Sequence, residues 1–212
     1  KIDLNGNRVG DEGAVGIARN KAWVCLEEIY LFGNQIGDTG AAAIGGTTFW
    51  KSLKKLDLHE NKIGDEGAAG IAANTSWNNL EGLWLHENHI GDKGVALFGF
   101  NQSWPNLKVL SLHTNKIGDE GAVGIGKNSC WANLEELYLG KNQIGNRGAI
   151  GLGINFAWKK LKKLYLSINQ ISDEGTEVMA KNSSWVNLEE VSFHQNQIGD
   201  KGAIALGNNT WW

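Results

Sequence analysis

Three histidines recur at one interval in the middle of the chain. His59, His86 and His113 are spaced 27 residues apart, and Glu60 and Glu87 directly follow the first two. Imidazoles with neighbouring carboxylates could hold a divalent metal ion, or form a strip that gains positive charge below about pH 6.5. Side chains on neighbouring strands point in parallel rather than toward one point, so tetrahedral ligation would require adjustment. We therefore predict a polar ladder of histidines and no metal site.

Acidic pairs such as Asp65 and Glu66 are the other residues suited to chemistry. Such pairs recur in four of the eight copies of a repeat, which is typical of helix capping rather than of one catalytic dyad. The sequence contains no phosphate-binding glycine loop, no HExxH zinc motif, no CxxC pair and no GxSxG nucleophile motif. We predict a non-enzymatic protein with no cofactor and no small-molecule substrate.

Composition excludes two further classes of partner. The 212 residues carry 20 Lys and Arg against 23 Asp and Glu, a net charge of −3. Such a chain supplies no positive field for phosphate, which argues against nucleic acid as the main partner. No run of about 18 apolar residues is present, so we predict no membrane span. Two cysteines are too few for a disulfide framework and do not fix the compartment.

The elements that position the histidines follow from a repeat of 27 residues. One position is asparagine in all eight copies and another is tryptophan. These positions are Asn7, Asn34, Asn61, Asn88, Asn115, Asn142, Asn169 and Asn196, and Trp23, Trp50, Trp77, Trp104, Trp131, Trp158, Trp185 and Trp212. No insertion or deletion interrupts the copies, so we predict a single solenoid of eight coils over residues 1–212, without evident caps.

Within one copy, a strand is followed by a short helix. Leu56 and Leu58 alternate with polar residues, which predicts a strand with one buried face. Asp65 then begins a segment with Ala68 and Ile71 three residues apart, which predicts a helix of about two turns with Asp65 as its N-cap. Glycine and alanine fill much of this helix, so stacking on its neighbours must stabilise it.

The pattern Leu-x-x-Leu-x-Leu-x-x-Asn-x-Ile-Gly-Asp-x-Gly-Ala resembles the leucine-rich repeat, and its Gly-Asp-x-Gly-Ala turn resembles the ribonuclease-inhibitor-like class. The resemblance implies an α/β solenoid with a parallel sheet on the concave side and short helices on the convex side. It also implies that the repeated asparagine is buried and satisfies backbone groups. The sequence departs from that class in its slightly short coil and in carrying tryptophan where the family usually has leucine. We interpret the eight in-phase tryptophans as core, and small helix residues such as Gly70 predict low curvature.

Residues that vary between copies lie on the predicted concave face. The residue between the two strand leucines, and the residue two positions later, form columns that run across strands about 4.8 Å apart. Aromatic residues on an exposed sheet are typical of a binding hot spot, although they also suit β-strands and could simply cover the sheet. We predict that a protein partner contacts Tyr30, Phe32, His59, Trp84, His86, His113, Tyr138 and Tyr165.

A competing hypothesis makes the partner another copy of the chain. Glu and Lys alternate along the stack, and Lys1 of a second copy would follow Glu190 in that column. A helix position two residues after an invariant glycine is apolar in seven of eight copies, which predicts an apolar convex surface. The predicted self-association residues are Lys1, Ile2, Val123, Ile150, Glu190, Ile204, Trp211 and Trp212.

The compartment stays open at the level of the sequence. The family resemblance implies the cytoplasm, whereas four Asn-x-Ser/Thr sequons permit an extracellular location. The sequons begin at Asn74, Asn101, Asn182 and Asn208. The first three share a position just past the helix that is asparagine in seven of eight copies, which predicts a left-handed helix C-cap.

Overall fold

A computed structural model describes all residues from Lys1 to Trp212 and contains one open sheet of eight parallel strands in sequence order. The strands are β1 Ile2–Asp3, β2 Glu28–Tyr30, β3 Lys55–Asp57, β4 Gly82–Trp84, β5 Val109–Ser111, β6 Glu136–Tyr138, β7 Lys163–Tyr165 and β8 Glu190–Ser192. Each residue pairs with its equivalent in the next copy, as Leu56 pairs with Leu83. The sequence repeat therefore sets the register of the whole sheet.

A short helix follows every strand. The helices are α1 Asp11–Ala18, α2 Asp38–Gly45, α3 Asp65–Ala72, α4 Asp92–Ala96, α5 Asp119–Gly126, α6 Asn146–Gly153, α7 Asp173–Ala180 and α8 Asp200–Gly207. Helix α4 is the shortest and continues as a 3₁₀ turn over Leu97–Phe100. Neighbouring helices approach closely because of their glycines: a Cβ added to Gly45 would lie 2.3 Å from the carbonyl oxygen of Gly70.

The core is a single column of aliphatic and tryptophan side chains between sheet and helices. Six tryptophans, from Trp50 to Trp185, are fully buried. The prediction was wrong for the two terminal members, since Trp23 is 36 % exposed and Trp212 is only half-buried. These two belong to the first and last coils, which each pack on one neighbour. The buried indole N–H groups from Trp50 to Trp212 have no hydrogen-bond acceptor, so this column contributes through packing alone.

The repeated asparagine joins successive coils in a ladder. The Asn61 amide donates to the carbonyl oxygens of Leu31 and Leu58 at 2.9 and 3.1 Å. Its Oδ1 accepts the N–H of Ile36 at 2.9 Å. The same bonds recur in the later coils, but Asn7 is exposed and bonds only within its own coil. Burial of this residue, which the family resemblance implies, is found at Asn34, Asn61, Asn88 and Asn169, whereas Asn115, Asn142 and Asn196 are half-buried.

The acidic residue at the helix start forms a second ladder of hydrogen bonds between coils, and its predicted role as an N-cap is wrong. Asp65 is the first helical residue rather than the N-cap, which is Gly64, and its carboxylate makes no bond to its own helix. Asp65 Oδ1 instead accepts the N–H groups of Gly91 and Gly94, at 2.7 and 3.1 Å, at the start of the next helix. Each acidic residue thus stabilises the helix of the following coil.

A third ladder occupies the position of three sequons. Asn74 Nδ2 donates to the carbonyl oxygens of Gly45 and Thr47, both at 2.7 Å, and Asn101 and Asn182 make equivalent bonds. All three are buried. The predicted left-handed C-cap is wrong, because the C-cap of helix α3 is Ala73 in a right-handed conformation, and the Asn74 amide bonds the preceding coil instead. The left-handed residues lie elsewhere, one before each residue of the Asn61 ladder, as at Glu60 with φ 54°.

The apolar helix column is not an exposed convex surface, and that expectation was wrong. Its first seven members, including Val123 and Ile150, are half-buried, and only Ile204 is exposed. The cause is the following helix: a Cβ on Gly151 would lie 2.7 Å from Val123 Cγ2. The column therefore lies between helices, and Ile204 is exposed because it belongs to the last of them.

Candidate functional site on the concave strand face

Two columns of side chains run across the concave face. Strand register places Tyr30, Asp57 and Trp84 side by side on β2, β3 and β4. Ser111, Tyr138 and Tyr165 continue this central column on β5 to β7. The second column lies two residues further along each chain segment, where the strand ends. It contains Phe32, His59, His86 and His113.

The aromatic rings of the second column form one continuous stack. The centroid of Phe32 lies 4.3 Å from that of His59, and both histidine-to-histidine steps, to His86 and on to His113, are 4.1 Å. The stack then crosses to the central column, where Tyr138 meets His113 edge-on at 6.5 Å. Tyr165 closes the series with a face-to-face contact of 4.9 Å on Tyr138. The structure thus brings six of the eight predicted contact residues into one series, and the other two, Tyr30 and Trp84, lie in the central column on β2 and β4.

Two polar residues of the central column orient the imidazoles. Asp57 Oδ1 lies 2.6 Å from His59 Nδ1, and because a carboxylate only accepts, His59 Nδ1 carries the proton. The Ser111 hydroxyl lies 3.1 Å from His86 Nδ1 and 3.0 Å from His113 Nδ1. One hydroxyl has one proton, so it donates to one ring and accepts from the other, and the two neutral rings adopt opposite tautomers.

Burial keeps the central histidines neutral. Desolvation, together with the neighbouring His113 and His59, lowers the pKa of His86 to about 3. Desolvation also lowers the pKa of His113. At neutral pH the middle of the stack is therefore an uncharged surface of parallel rings.

The ring planes disfavour a shared metal ion. His86, Glu87 and His113 offer ligand atoms that all lie within 4.8 Å of one another. A ligating imidazole holds zinc about 2.0 Å from its nitrogen and close to the ring plane. The two rings are stacked with an interplanar angle of 16°, so one ion cannot lie in both planes. The polar ladder predicted from the sequence is the arrangement that this geometry favours.

The two tyrosines at the far end are tied to acidic residues. The Tyr138 hydroxyl donates to Glu136 Oε2 at 2.6 Å, and burial and this bond raise the pKa of Tyr138. The Glu190 carboxylate raises the pKa of Tyr165 to about 12. Both phenols therefore stay protonated at any physiological pH.

The series of rings from Phe32 to Tyr165 is called the strip below. Trp84 borders a cleft beside the Phe32 end of this strip. Its six-membered ring lies over Gly82, where an added Cβ would be 2.2 Å from the ring, so the absence of a side chain at Gly82 makes room for the indole. The cleft has a volume of about 350 Å³ and lies between Tyr30, Asp57 and Trp84. Lys55, Glu81, Gly82, Lys108 and Val109 complete its lining.

Opposite charges pair along the sheet beside the strip, as their alternation in sequence indicates. Lys54 bonds Glu27 at 3.0 Å, and Lys55 bonds Glu28 at 3.2 Å. Equivalent pairs are Lys108 with Glu81, Lys162 with Glu135, and Lys163 with Glu136. All are partly exposed, so their individual effect on stability is small. They do leave most charges beside the strip neutralised.

Most of the residues predicted for self-association lie in the first and last coils. Lys1 Nζ lies 4.5 Å above the ring of Tyr30 and 3.6 Å from Asp3 Oδ2, and Ile2 is half-buried in β1. Glu190 is exposed on β8, Trp211 is 52 % exposed, and Trp212 is half-buried. Apart from the inter-helix residues corrected above, these lie at the two ends of the solenoid, where end-to-end stacking would use them, and their role in self-association stays a prediction.

Sequence reasoning missed several features of the surface. It did not predict that Ser111 and Asp57 would hydrogen-bond the histidines. It also did not predict that the missing side chain at Gly82 would make room for the Trp84 indole. It also missed four exposed apolar residues on the helix side, which are Leu97, Phe100, Ile154 and Phe156. A signal was available for Leu97, since most other copies carry glycine or alanine at that position.

The chain belongs to the leucine-rich repeat family. A sequence model of that family, described as Leucine Rich repeat, matches most of the chain. The matched segments are residues 1–18, 24–45, 51–72, 105–126, 132–153, 159–180 and 186–207. The coil that contains Trp84 and the 3₁₀ turn is not among them. The ribonuclease-inhibitor-like class stays a prediction. No curated protein matches the sequence.

Solved structures with the same fold include bacterial and plant proteins. Internalin C2 from Listeria monocytogenes is 25 % identical with a TM-score of 0.66, covering 98 % of this chain and 76 % of that one. Internalin F from the same organism is also 25 % identical, with a TM-score of 0.64, covering 91 % of this chain. This chain spans only 48 % of internalin F.

A plant receptor shares the fold at lower identity. The Arabidopsis receptor kinase HAESA, solved in complex with the peptide hormone IDA and the co-receptor SERK1, is 21 % identical with a TM-score of 0.60. The match covers 93 % of this chain and 30 % of that one, and shows the fold alone. The present structure has no helix with the length and hydropathy needed to cross a membrane.

Proposed function

We propose that this chain is a non-catalytic binding module whose concave strand face takes a protein partner. The observation that carries the proposal is the uninterrupted aromatic series from Phe32 to Tyr165, which crosses six strands with centroid steps of 4.1 to 6.5 Å. Rings held in this way lose little conformational freedom on binding, which makes them good anchors.

The polar groups of the strip also suit a partner. His86 and His113 are neutral and already bonded through Nδ1 to Ser111, so covering them costs less than covering charged groups. At the other end, the Tyr138 hydroxyl donates its one proton to Glu136, so its oxygen is left to accept a hydrogen bond from the partner. A large apolar area with a few directed polar groups is the arrangement found at the centres of protein interfaces.

Proteins with the same fold support the proposal of a protein partner. HAESA carries the same type of sheet and was solved with a bound peptide hormone and a co-receptor. The leucine-rich repeat family to which this chain belongs is in general a protein-interaction fold. The curved row of parallel strands presents a long surface suited to a protein segment.

Selection of binding peptides tests the proposal. A display library of random peptides is selected on the wild-type protein, and selected binders are measured against Trp84→Ala/Tyr138→Ala. We expect affinity to fall by about tenfold or more, because truncated aromatic anchors typically cost at least 1.4 kcal/mol. The matched control is Leu97→Ala/Phe100→Ala, which removes exposed apolar groups from the helix side and should leave affinity unchanged.

Two results would contradict a concave site. One is a selection that yields no binder, and the other is a set of binders that respond to the helix-side variant only. Light scattering of the unliganded protein over a range of concentrations runs in parallel. A mass that rises with concentration in the wild type, and not in Trp84→Ala/Tyr138→Ala, would identify the partner as another copy of the chain.

A further inference from the structure

We infer that the cleft between Tyr30 and Trp84 receives a cationic side chain of the partner, with arginine as the best fit. This inference rests on the proposed function, because it assigns one contact to the partner that the concave face would bind.

The shape of the cleft comes first. Tyr30, Asp57 and Trp84 are consecutive members of the central column, so the two aromatic residues are two strand spacings, or about 9.6 Å, apart at the backbone. Asp57 lies between them and is shorter than either. The result is a recess of about 350 Å³ whose lining includes Tyr30, Asp57 and Trp84.

The charges around the cleft point to a cation. Lys55 is held by Glu28 at 3.2 Å, and Lys108 is held by Glu81 at 2.9 Å, so these charges are compensated. Asp57 has no lysine or arginine partner, and only its Oδ1 is engaged, by the backbone N–H and the imidazole of His59. Its Oδ2 is left to accept a hydrogen bond from a guest.

Burial makes this carboxylate a strong attractor. Asp57 is only 9 % exposed and pairs with no lysine or arginine, and a carboxylate at that depth gains more from a cation than a solvated surface carboxylate would. A guanidinium can pair with a carboxylate and lie against an aromatic face at the same time. The molecule already shows half of this arrangement, since Lys1 Nζ lies 4.5 Å above the ring of Tyr30.

The test uses the whole protein and two short peptides that differ in one group. The ten tryptophans give separate indole N–H signals in a ¹⁵N-correlated NMR spectrum, and Trp84→Phe identifies the signal of Trp84. The protein is titrated with acetyl-Gly-Gly-Arg-Gly-Gly-amide and with the same peptide containing citrulline, which is neutral. We expect the arginine peptide to shift the Trp84 signal saturably, and the citrulline peptide to bind about tenfold more weakly or not at all.

Asp57→Asn supplies the decisive variant. Asparagine keeps the oxygen that accepts from His59 and removes the charge, so we expect about a tenfold loss for the arginine peptide. Asp200→Asn is the matched control, because Asp200 is exposed at the start of the last helix and does not line the cleft, and this variant should bind as the wild type does. If thermal unfolding shows that Asp57→Asn is not folded, Tyr30→Leu replaces it and should weaken the arginine peptide severalfold.

The inference is overturned if arginine and citrulline peptides bind equally, if neither shifts Trp84, or if Asp57→Asn binds as well as wild type. Its failure is separable from that of the proposed function. Selected binders that contact the concave face but do not depend on Asp57 would refute the cation site and support the binding module. An arginine-specific shift of the Trp84 signal without any selected concave-face binder would support the cation site and refute the binding module.

Discussion

The carboxylate of Asp65 accepts the backbone N–H of Gly91 at 2.7 Å, although the two residues belong to different coils. This bond makes the start of helix α4 dependent on a side chain of helix α3. The same relationship links Asp11 with Gly37 and Asp119 with Gly145, so it is a property of the repeat rather than of one coil.

Removal of the Asp65 carboxylate should destabilise helix α4 rather than helix α3, which contains Asp65. For Asp65→Ala we expect a loss of about 1 kcal/mol in the free energy of unfolding, as for other lost helix caps, measured by urea denaturation. Hydrogen exchange should become faster in α4 than in α3. The control Glu66→Ala alters an exposed neighbour and should have no such effect. Faster exchange confined to α3 would show that Asp65 caps its own helix after all.

The tryptophan column should be the most sensitive part of the core. Trp104 is fully buried, and its indole N–H has no acceptor. Trp104→Ala should cost about 3–5 kcal/mol through the cavity it leaves. Trp104→Phe should cost much less, because the phenyl ring keeps most of the packing and removes a donor whose burial is unfavourable. Urea denaturation measures both, with the exposed Trp211→Ala as control. Equal losses for both Trp104 variants would point to an undetected partner of the indole N–H.

The histidine stack predicts a pH dependence of stability. The pKa of His86 is about 3 in the folded protein and near the usual 6.5 when unfolded. Between these values the unfolded chain binds more protons, so the stabilisation is complete above about pH 6.5 and is lost as the pH falls toward 3. From about pH 7 to about pH 5, the urea midpoint should therefore fall more for the wild type than for His86→Gln.

The exposed His194 provides the control for this comparison. His194→Gln should retain the full pH response of the wild type. His59, His113 and Ser111 are the groups that face His86, and they are unchanged in both variants. An identical pH response in His86→Gln and wild type would mean that His86 is not kept neutral by the fold.

The sequons differ sharply in what the fold allows. Asn74, Asn101 and Asn182 are buried and use their amides to bond the preceding coil, whereas Asn208 is exposed. If the chain is expressed through a secretory pathway, the folded product should carry glycan at Asn208 only. Mass spectrometry of tryptic peptides measures this, and Asn208→Gln should yield an unglycosylated product. A glycan at Asn74 in correctly folded protein would contradict the ladder.

The parts of the fold that follow from local pattern could be predicted from the sequence. The alternation of Leu56 and Leu58 with polar residues predicted which face of the strand is buried. The 27-residue period predicted the register between strands, because every coil repeats the same spacing. The concave columns followed directly, since strand residues alternate between faces. The side-chain stack of His59, His86 and His113 was visible as a column, although not as stacked rings.

The remaining features depend on contacts between coils, which spacing within one coil does not reveal. Asp65 has the sequence position of an N-cap, and only the packing distance shows that the next helix is nearer to its carboxylate. Val123 looks outward on an isolated helix, but the glycine at position 151 lets the following helix cover it. The shared hydroxyl of Ser111 depends in the same way on its place between two neighbouring histidines.

Three side-chain ladders join most coils to their neighbours, and this arrangement has a mechanical consequence. When the chain is pulled from its two ends, the load passes along the stack, and a terminal coil is held by one interface whereas an inner coil is held by two. We therefore expect force to peel the solenoid from its ends in successive steps. Each step would release one 27-residue coil, or roughly 90 Å of extended chain, so the molecule would lengthen gradually under tension instead of rupturing at once.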